Sequence, residues 1–161
     1  MTEIYRIETV FSPIIHQPAW QVHVGHGSFL TFEFGNPSLE RTEPIGSKRR
    51  RIRIRGDWHL WIYCCSWQIT ANGEILATNE DTNEKMSKAA HFLDGQILVD
   101  VSPSGEEGKS RFEFDLGGTL ETWPDATDPA DQWMLYHGHD VWTLGADGKI
   151  TLTDIDKTPA G

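Results

Sequence analysis

An internal repeat constrains the fold of this chain more than any other feature of its sequence, because a repeated unit predicts a repeated set of structural elements. Residues 58–78 align without a gap with residues 133–153, and tryptophan, leucine, glycine, isoleucine and threonine recur at the same relative positions. The match continues upstream through a Phe-Glu-Phe triplet in each copy. The alignment predicts two tandem units, at about 20–78 and about 97–153.

Each unit is predicted to be an antiparallel β unit of about four strands, because its apolar residues recur at every second position. The candidate strands of the first unit are 20–24, 28–34, 58–70 and 74–78. Asn72-Gly73 and Asp147-Gly148 favour tight hairpin turns, because these residue types tolerate positive φ angles. A further strand is predicted over residues 4–10.

A helix at about 81–94 is predicted to join the two units. Asp81 and Thr82 begin a capping sequence, apolar residues follow at helical spacing, and Gly95 is a stop signal. The chain of 161 residues can form one ordinary core, so a single domain is expected over 1–161. The predicted fold is mainly β (α+β), with the two units sharing one core as a sandwich or a barrel.

The net charge of −10 is distributed unevenly, because residues 94–161 carry fourteen acidic and only four basic residues. This balance argues against general nucleic-acid binding and favours a basic protein partner. No run approaches the roughly 18 apolar residues of a membrane helix, and no signal sequence is recognisable, so a soluble, cytoplasmic protein is expected. The adjacent Cys64 and Cys65 cannot build a disulfide framework, and they are interpreted as buried free thiols.

A basic segment at 47–55 has no counterpart in the second unit. Its alternation places Arg51, Arg53 and Arg55 on one face and two isoleucines on the other, which predicts a half-buried strand. Guanidinium groups bind carboxylates and phosphates bidentately, so the three arginines are candidates for an anion-binding or partner-binding strip. The alternative interpretation is an edge strand protected by its charges, or one paired with the acidic second half.

The long tryptophan-led strand of the first unit is the candidate small-molecule site. Strict alternation would place His59, Trp61, Tyr63 and Trp67 on one face. These side chains could line an aromatic cavity with His59 at its mouth. The alternative is a central strand that is covered by apolar contacts on both faces.

Two histidines replace core-like residues in the second unit. If residues 133–142 form one strand, His137 and His139 lie on the same face, roughly 7 Å apart, which is a usable spacing for metal ligands. His23 and His26 could complete such a site. The alternative is a polar patch near a strand end, and no cofactor is predicted.

Trp123 is the candidate anchor for a protein partner, because it precedes Pro124 in a segment predicted to be an acidic loop. The alternative is a side chain that covers the core.

The sequence favours a non-enzymatic protein-binding module of the inhibitor, adaptor or toxin-neutralising type. The chain is small, and it carries no phosphate-binding loop and no nucleophile elbow. A small-ligand-binding β-barrel with an aromatic cavity is the alternative, and a metal-dependent enzyme centred on His137 and His139 is the second alternative. The repeated tryptophan-led strand looks like that of a bacterial protein and implies no activity.

Overall fold

The computed structural model describes residues 4–46, 48–105 and 108–155, and these residues are mainly β. A short 3-10 helix at Ser12–Ile14 follows the first helix. In chain order the other elements are α1 (Ile7–Phe11), β1 (Trp20–Val24), β2 (Leu30–Phe34), β3 (Ser38–Thr42), β4 (Arg51–Arg55), β5 (Trp58–Ile62), β6 (Cys65–Ala71), β7 (Glu74–Thr78), α2 (Asn83–Leu93), β8 (Leu98–Pro103), β9 (Ser110–Phe114), β10 (Gly118–Pro124), β11 (Trp133–His137), β12 (Asp140–Leu144) and β13 (Ile150–Asp154).

Two antiparallel sheets form a sandwich. Sheet I has the order β1-β2-β5-β11-β12-β13, and sheet II has the order β7-β6-β10-β9-β8. The remaining strands, β3 and β4, form a separate two-stranded sheet. The predicted mainly β fold is confirmed, and of the two predicted arrangements the sheets resemble the sandwich, not a closed barrel.

The core lies between the inward faces of the two sheets. Leu60 and Leu135 of sheet I and Phe112 and Leu120 of sheet II are all fully or almost fully buried. Phe11 of α1 reaches the same core, where its ring meets those of Phe112 and Trp133 edge-on at centroid distances of 5.3 and 5.0 Å. Each such buried side chain contributes about 1.5–3 kcal/mol, so α1 is an integral part of the core.

The helix predicted between the units is confirmed as α2. The Thr82 side chain caps it by accepting a hydrogen bond from the Lys85 amide at 3.2 Å. Its apolar face is buried against the sandwich through Met86, Ala89, Ala90 and Leu93. No helix in the described parts of the chain is both long and apolar enough to cross a membrane.

The strand predicted over residues 4–10 is wrong, because α1 occupies most of this segment. The buried residues are Ile7, Val10, Phe11 and Ile14. Their spacing is that of one helix face, whereas a strand would bury every second residue. Pro13, which has no amide proton to donate, lies at the beginning of the 3-10 helix that follows.

The strand predicted over 58–70 is divided into two strands that belong to different sheets. The chain leaves sheet I after Ile62 and enters sheet II at Cys65. The Cys65 amide donates to the Tyr63 carbonyl, which closes a tight bend. This bend changes the phase of the side-chain alternation, so that Trp67 points into the core, although strict alternation places it on the face opposite Ile62.

The sequence repeat is not confirmed as a structural repeat in the predicted alignment. Trp58 and Trp133 lie on β5 and β11, which are paired neighbours within sheet I, with Trp58 opposite His137 and Ile62 opposite Trp133. The two sheets do share a pattern of connections. A three-stranded meander, β1-β2-β5 in sheet I and β8-β9-β10 in sheet II, is followed each time by a crossing to the other sheet. Connectivity therefore relates β5 to β10.

The first strand after each crossing carries a fully buried tryptophan. Trp67 of β6 donates its indole N–H to the Ser28 carbonyl at 2.7 Å, and Trp133 of β11 donates to the Ser110 hydroxyl at 3.2 Å. Each bond links the two sheets, because Ser28 precedes β2 in sheet I and Ser110 begins β9 in sheet II. A buried indole N–H needs such a partner, so these bonds help to hold the two sheets in place.

The crossing at Tyr63 and Cys64 gives the two thiols different environments. Cys65 is buried, its thiol donates to the Gln132 carbonyl at 3.4 Å, and burial raises its pKa to about 12. Cys64 is half-buried. Since the thiolate is the reactive form, Cys65 stays protonated and unreactive at any pH well below 12.

We expect a Cys64→Ser variant to resist modification by Ellman's reagent at pH 8 in the native state, because only the buried thiol remains. The matched Cys65→Ser variant should react. Both variants should react in full in 6 M guanidinium chloride, which controls for thiol content. Equal native reactivity of the two variants would contradict this placement of the thiols.

The basic arm and its groove

The strands β3 and β4 form a hairpin that projects from sheet I between β2 and β5. Ser38 lies opposite Arg55 and Thr42 opposite Arg51, and among the described residues the two strands pair only with each other. We call this hairpin, residues 38–55, the basic arm. Residue 47, at the start of the predicted basic segment, lies outside the described residues.

The arm exposes apolar as well as charged side chains. Leu39, Ile52 and Ile54 are all exposed. The predicted strand is therefore present, but it is not half-buried, because no second layer covers it. Long exposed apolar side chains on an unpaired ribbon are typical of interaction surfaces.

The arm is the most basic part of the chain, with seven lysines and arginines against two glutamates. Both glutamates form ion pairs within the arm: Glu43 with Arg41 at 2.8 Å and Arg50 at 3.2 Å, and Glu40 with Arg55 at 3.5 Å. No ion pair joins the arm to the acidic second half among the described residues, so the alternative of intramolecular pairing finds no support.

The base of the arm is held by two carboxylates. The Gly56 amide donates to Glu33 at 3.0 Å, and the Asn36 amide donates to Asp57 at 2.9 Å. A Cβ atom on Gly56 would lie 2.4 Å from the Phe34 carbonyl oxygen, so only glycine fits between the two chains at this point. These contacts hold the point at which the arm leaves the sheet.

Glu33 and His59 form a buried pair at the foot of the arm. They lie opposite each other on β2 and β5, and the Nδ1 atom of His59 bonds to the Glu33 carboxylate, which is only 3% exposed. A buried carboxylate is costly unless it is paired and hydrogen-bonded. The Gly56 amide and the His59 ring together meet this requirement. The bond from His59 uses Nδ1, so the second ring nitrogen, Nε2, is not part of it.

A groove of about 640 Å³ lies between the arm and the outer face of sheet I. Its lining combines positive charge, imidazole and aromatic surface. The residues that line it are Gln21, His23, Gly25, His26, Phe29, Thr31, Glu33, Arg53, Ile54, Arg55, His59 and Trp61. The ring of Phe29 lies 5.7 Å from that of Trp61, which makes one side of the groove aromatic.

A second cleft of about 290 Å³ lies beside the arm and shares Arg55 and His59 with the groove. Tyr136 and Leu39 also line it. Partial burial raises the pKa of Tyr136, and the positive charge of Arg55 offsets part of that rise. Arg55 and His59 therefore stand where the two clefts meet.

The predicted aromatic cavity is only partly assembled. His59 and Trp61 line the groove, and Tyr63 packs against Trp61 at a centroid distance of 4.8 Å. Trp67 lies elsewhere, fully buried between the sheets, because the bend after Ile62 turns it inward. The available space is thus an open groove on the outside of the sandwich, not the interior of a barrel.

The three arginines of the predicted strip occupy different places. Arg53 and Arg55 line the groove, whereas Arg51 lies further along the arm, opposite Thr42. Trp123 lies in sheet II, on β10 opposite Ser66 of β6, and it is half-buried. The loop expected around Trp123 is therefore wrong, and Lys109 lies 5.5 Å from its ring centroid.

His137 and His139 do not share a strand face. His137 ends β11 and stacks on Trp58 at a centroid distance of 3.9 Å, whereas His139 lies in the turn before β12, after Gly138 with φ of +60°. The spacing argument for a metal site fails because the strand ends between them. The described residues contain no group of three or more His, Cys, Asp or Glu side chains that could hold a metal ion.

His23 and His26, the expected additional ligands, line the groove. The His23 ring is held by the Gln21 carbonyl at 2.9 Å and by the Thr31 hydroxyl at 3.3 Å. Sequence reasoning missed Glu33 as a site residue. Its position between two buried phenylalanines indicates only an outward-facing strand residue, and nothing in the sequence shows that Gly56 and His59 bind its carboxylate.

Comparisons of this chain with protein-family models, with curated proteins and with solved structures find no significant match.

We expect a Gly56→Ala variant to lose about 1–3 kcal/mol of unfolding free energy, because the added methyl group forces the backbone away from Phe34. Urea denaturation measures this loss. Gly25→Ala is the matched control, since its Cβ would make ordinary contacts at 3.9 Å. Equal stability of the two variants would show that the base of the arm is not tightly packed.

Proposed function

We propose that this protein is a non-enzymatic protein-binding module that binds an acidic segment of a partner protein through the basic arm. One observation carries the proposal: the arm exposes arginines and large aliphatic residues together, on a ribbon that pairs with no other strand in the described parts of the chain. An isolated two-stranded hairpin is only marginally stable in water. A partner that covers the hairpin would bury this apolar surface, and the burial would stabilise the complex by about 25 cal/mol for each Å² of apolar surface.

Charge complementarity supports an acidic segment as the bound part of the partner. The arm is strongly basic, whereas the rest of the chain carries twenty-two acidic and seven basic residues. The expectation of a basic partner rests on the net charge of the whole chain. That negative charge lies outside the arm, in the part that we call the acidic body, so the expectation applies to that part. The arm itself attracts carboxylates, which guanidinium groups bind bidentately.

Nucleic acid is a less suitable partner for the same surface. A phosphate backbone offers no apolar side chains to Leu39, Ile52 and Ile54, all of which are exposed. A protein segment that combines carboxylates with apolar residues satisfies both parts of the arm.

A second candidate function is the binding of a small molecule in the groove. The volume of about 640 Å³ supports it, because small-molecule sites commonly measure about 300–1,000 Å³.

Site-specific cross-linking in cells tests the proposed function. A photoreactive benzoylphenylalanine placed at Leu39, which is 75% exposed, should cross-link to one partner protein. The same residue at Leu116, 66% exposed and remote from the arm in sequence, is the matched control and should not capture that partner. Equal capture from both positions would contradict the proposal.

Binding of the purified partner then tests the apolar part of the arm. We expect Ile52→Ser to weaken binding at least about tenfold, because burial of an isoleucine side chain contributes about 1.5–3 kcal/mol. Ile75→Ser removes the same group from β7, where the side chain is 60% exposed against 64% for Ile52. Calorimetric titration measures both affinities, and equal losses would contradict a role for the arm.

A further inference from the structure

We infer that the groove beneath the basic arm is the subsite that receives one carboxylate side chain of the partner's acidic segment, together with an aromatic side chain two residues away. The inference rests on the proposed function and identifies the chemistry that the groove recognises. It is carried by the charges, the fixed rings and the shape of the groove.

The charges of the groove favour a carboxylate. Arg53 lines the groove and makes no ion pair within the described parts of the chain, and Arg55 lines it beside its own partner Glu40. Glu33 is the one carboxylate among the described lining residues. Glu33 already bonds to His59 and to the Gly56 amide, and these donors offset part of its negative charge.

The floor of the groove is preorganised. The Glu33 carboxylate holds the His59 ring through Nδ1, and the Gln21 carbonyl and the Thr31 hydroxyl hold the His23 ring. Side chains whose positions are fixed before binding lose little conformational entropy when a ligand arrives. Three histidines and two arginines therefore line one cleft.

The aromatic side of the groove specifies the neighbouring residue. Trp61 and Phe29 form an edge-to-face pair, and Ile54 of the arm also lines the groove. In an extended segment, side chains two residues apart point in the same direction and lie about 7 Å apart. A glutamate and an aromatic residue in this spacing can enter the groove together.

The shape of the site favours an extended chain over a compact molecule. The groove and the smaller cleft share Arg55 and His59 in their linings, so the two clefts lie side by side at the foot of the arm. A small molecule fills only one of the two clefts, whereas a peptide strand can occupy both. The shape of the site therefore favours an extended segment of a partner protein.

Synthetic peptides test the subsite directly. The probe is the N-acetylated and C-amidated peptide Ser-Glu-Ser-Phe-Ser, titrated into the ¹⁵N-labelled protein. We expect it to shift the indole resonance of Trp61 and the backbone amide resonance of His59. The analogue with glutamine in place of glutamate should bind about tenfold more weakly, because it lacks the charge-assisted hydrogen bond.

Variants of the arm locate the contact. Arg53→Gln should weaken binding of the glutamate peptide about tenfold. Arg49→Gln removes the same charge from the arm outside the groove lining and should change the affinity less than twofold. Equal losses in the two variants would overturn the subsite and indicate general attraction to the arm.

Two further ligands separate the other possible occupants. Phenylacetate carries the same chemistry as a small molecule, and we expect it to bind at least tenfold more weakly than the peptide. An eight-residue oligothymidylate should bind more weakly than the peptide at 150 mM salt. If phenylacetate or the oligonucleotide binds as tightly as the peptide, the inference is wrong.

The failure of this inference can be distinguished from the failure of the proposed function. If the peptide leaves the groove resonances unchanged while the partner is still captured at Leu39, the subsite is wrong and the arm remains a protein-binding surface. If Leu39 captures no partner, the proposed function itself is wrong.

Discussion

The candidate site depends on the hydrogen bonds that the buried Glu33 carboxylate makes. This carboxylate accepts hydrogen bonds from the Gly56 amide, where the arm returns to the sheet, and from His59 on the neighbouring strand. Because an unpaired buried charge costs several kcal/mol, both partners are required together. The same carboxylate therefore helps to hold the direction of the arm and the orientation of the groove floor.

The charges of the molecule are separated between the arm and the rest of the chain. The arm, with its seven lysines and arginines, stands away from an acidic body, and its ion pairs are formed with its own two glutamates. Exposed ion pairs of this kind contribute about 0–1 kcal/mol each, so they do little to stabilise the ribbon. A partner that covers the ribbon would supply the stabilisation that these ion pairs do not.

Sequence patterns identified those elements whose signals are local. The helix α2 was predictable from its cap at Thr82 and its apolar spacing, and the β6–β7 turn from Asn72-Gly73, both of which adopt positive φ. The N-terminal segment was predicted wrongly because its few apolar residues fit both the two-residue period of a strand and the 3.6-residue period of a helix. Of the candidate binding residues, the alternation of the basic segment brought Arg53 and Arg55 to attention, and the tryptophan-led strand did the same for Trp61.

Other features depended on contacts between distant residues. The bend after Ile62 divides one apolar run between two sheets, so Trp67 lies in the core and does not line the predicted cavity. No local signal marks that bend, because the run continues through Tyr63 and Cys64 without a glycine or a proline. The turn at Gly138 likewise separated the two histidines of the predicted metal pair.

Local patterns in the sequence were sufficient to predict a mainly β chain with one amphipathic helix between two sets of strands, since periodicity, caps and turn residues act over a few positions. The packing of distant segments selected which strands became neighbours and brought Gly56 and His59 to the Glu33 carboxylate. Those outcomes depend on pairing between residues far apart in the chain, such as β5 with β11. Many strand orders bury the same apolar faces, and competition among complete packings selects one of them.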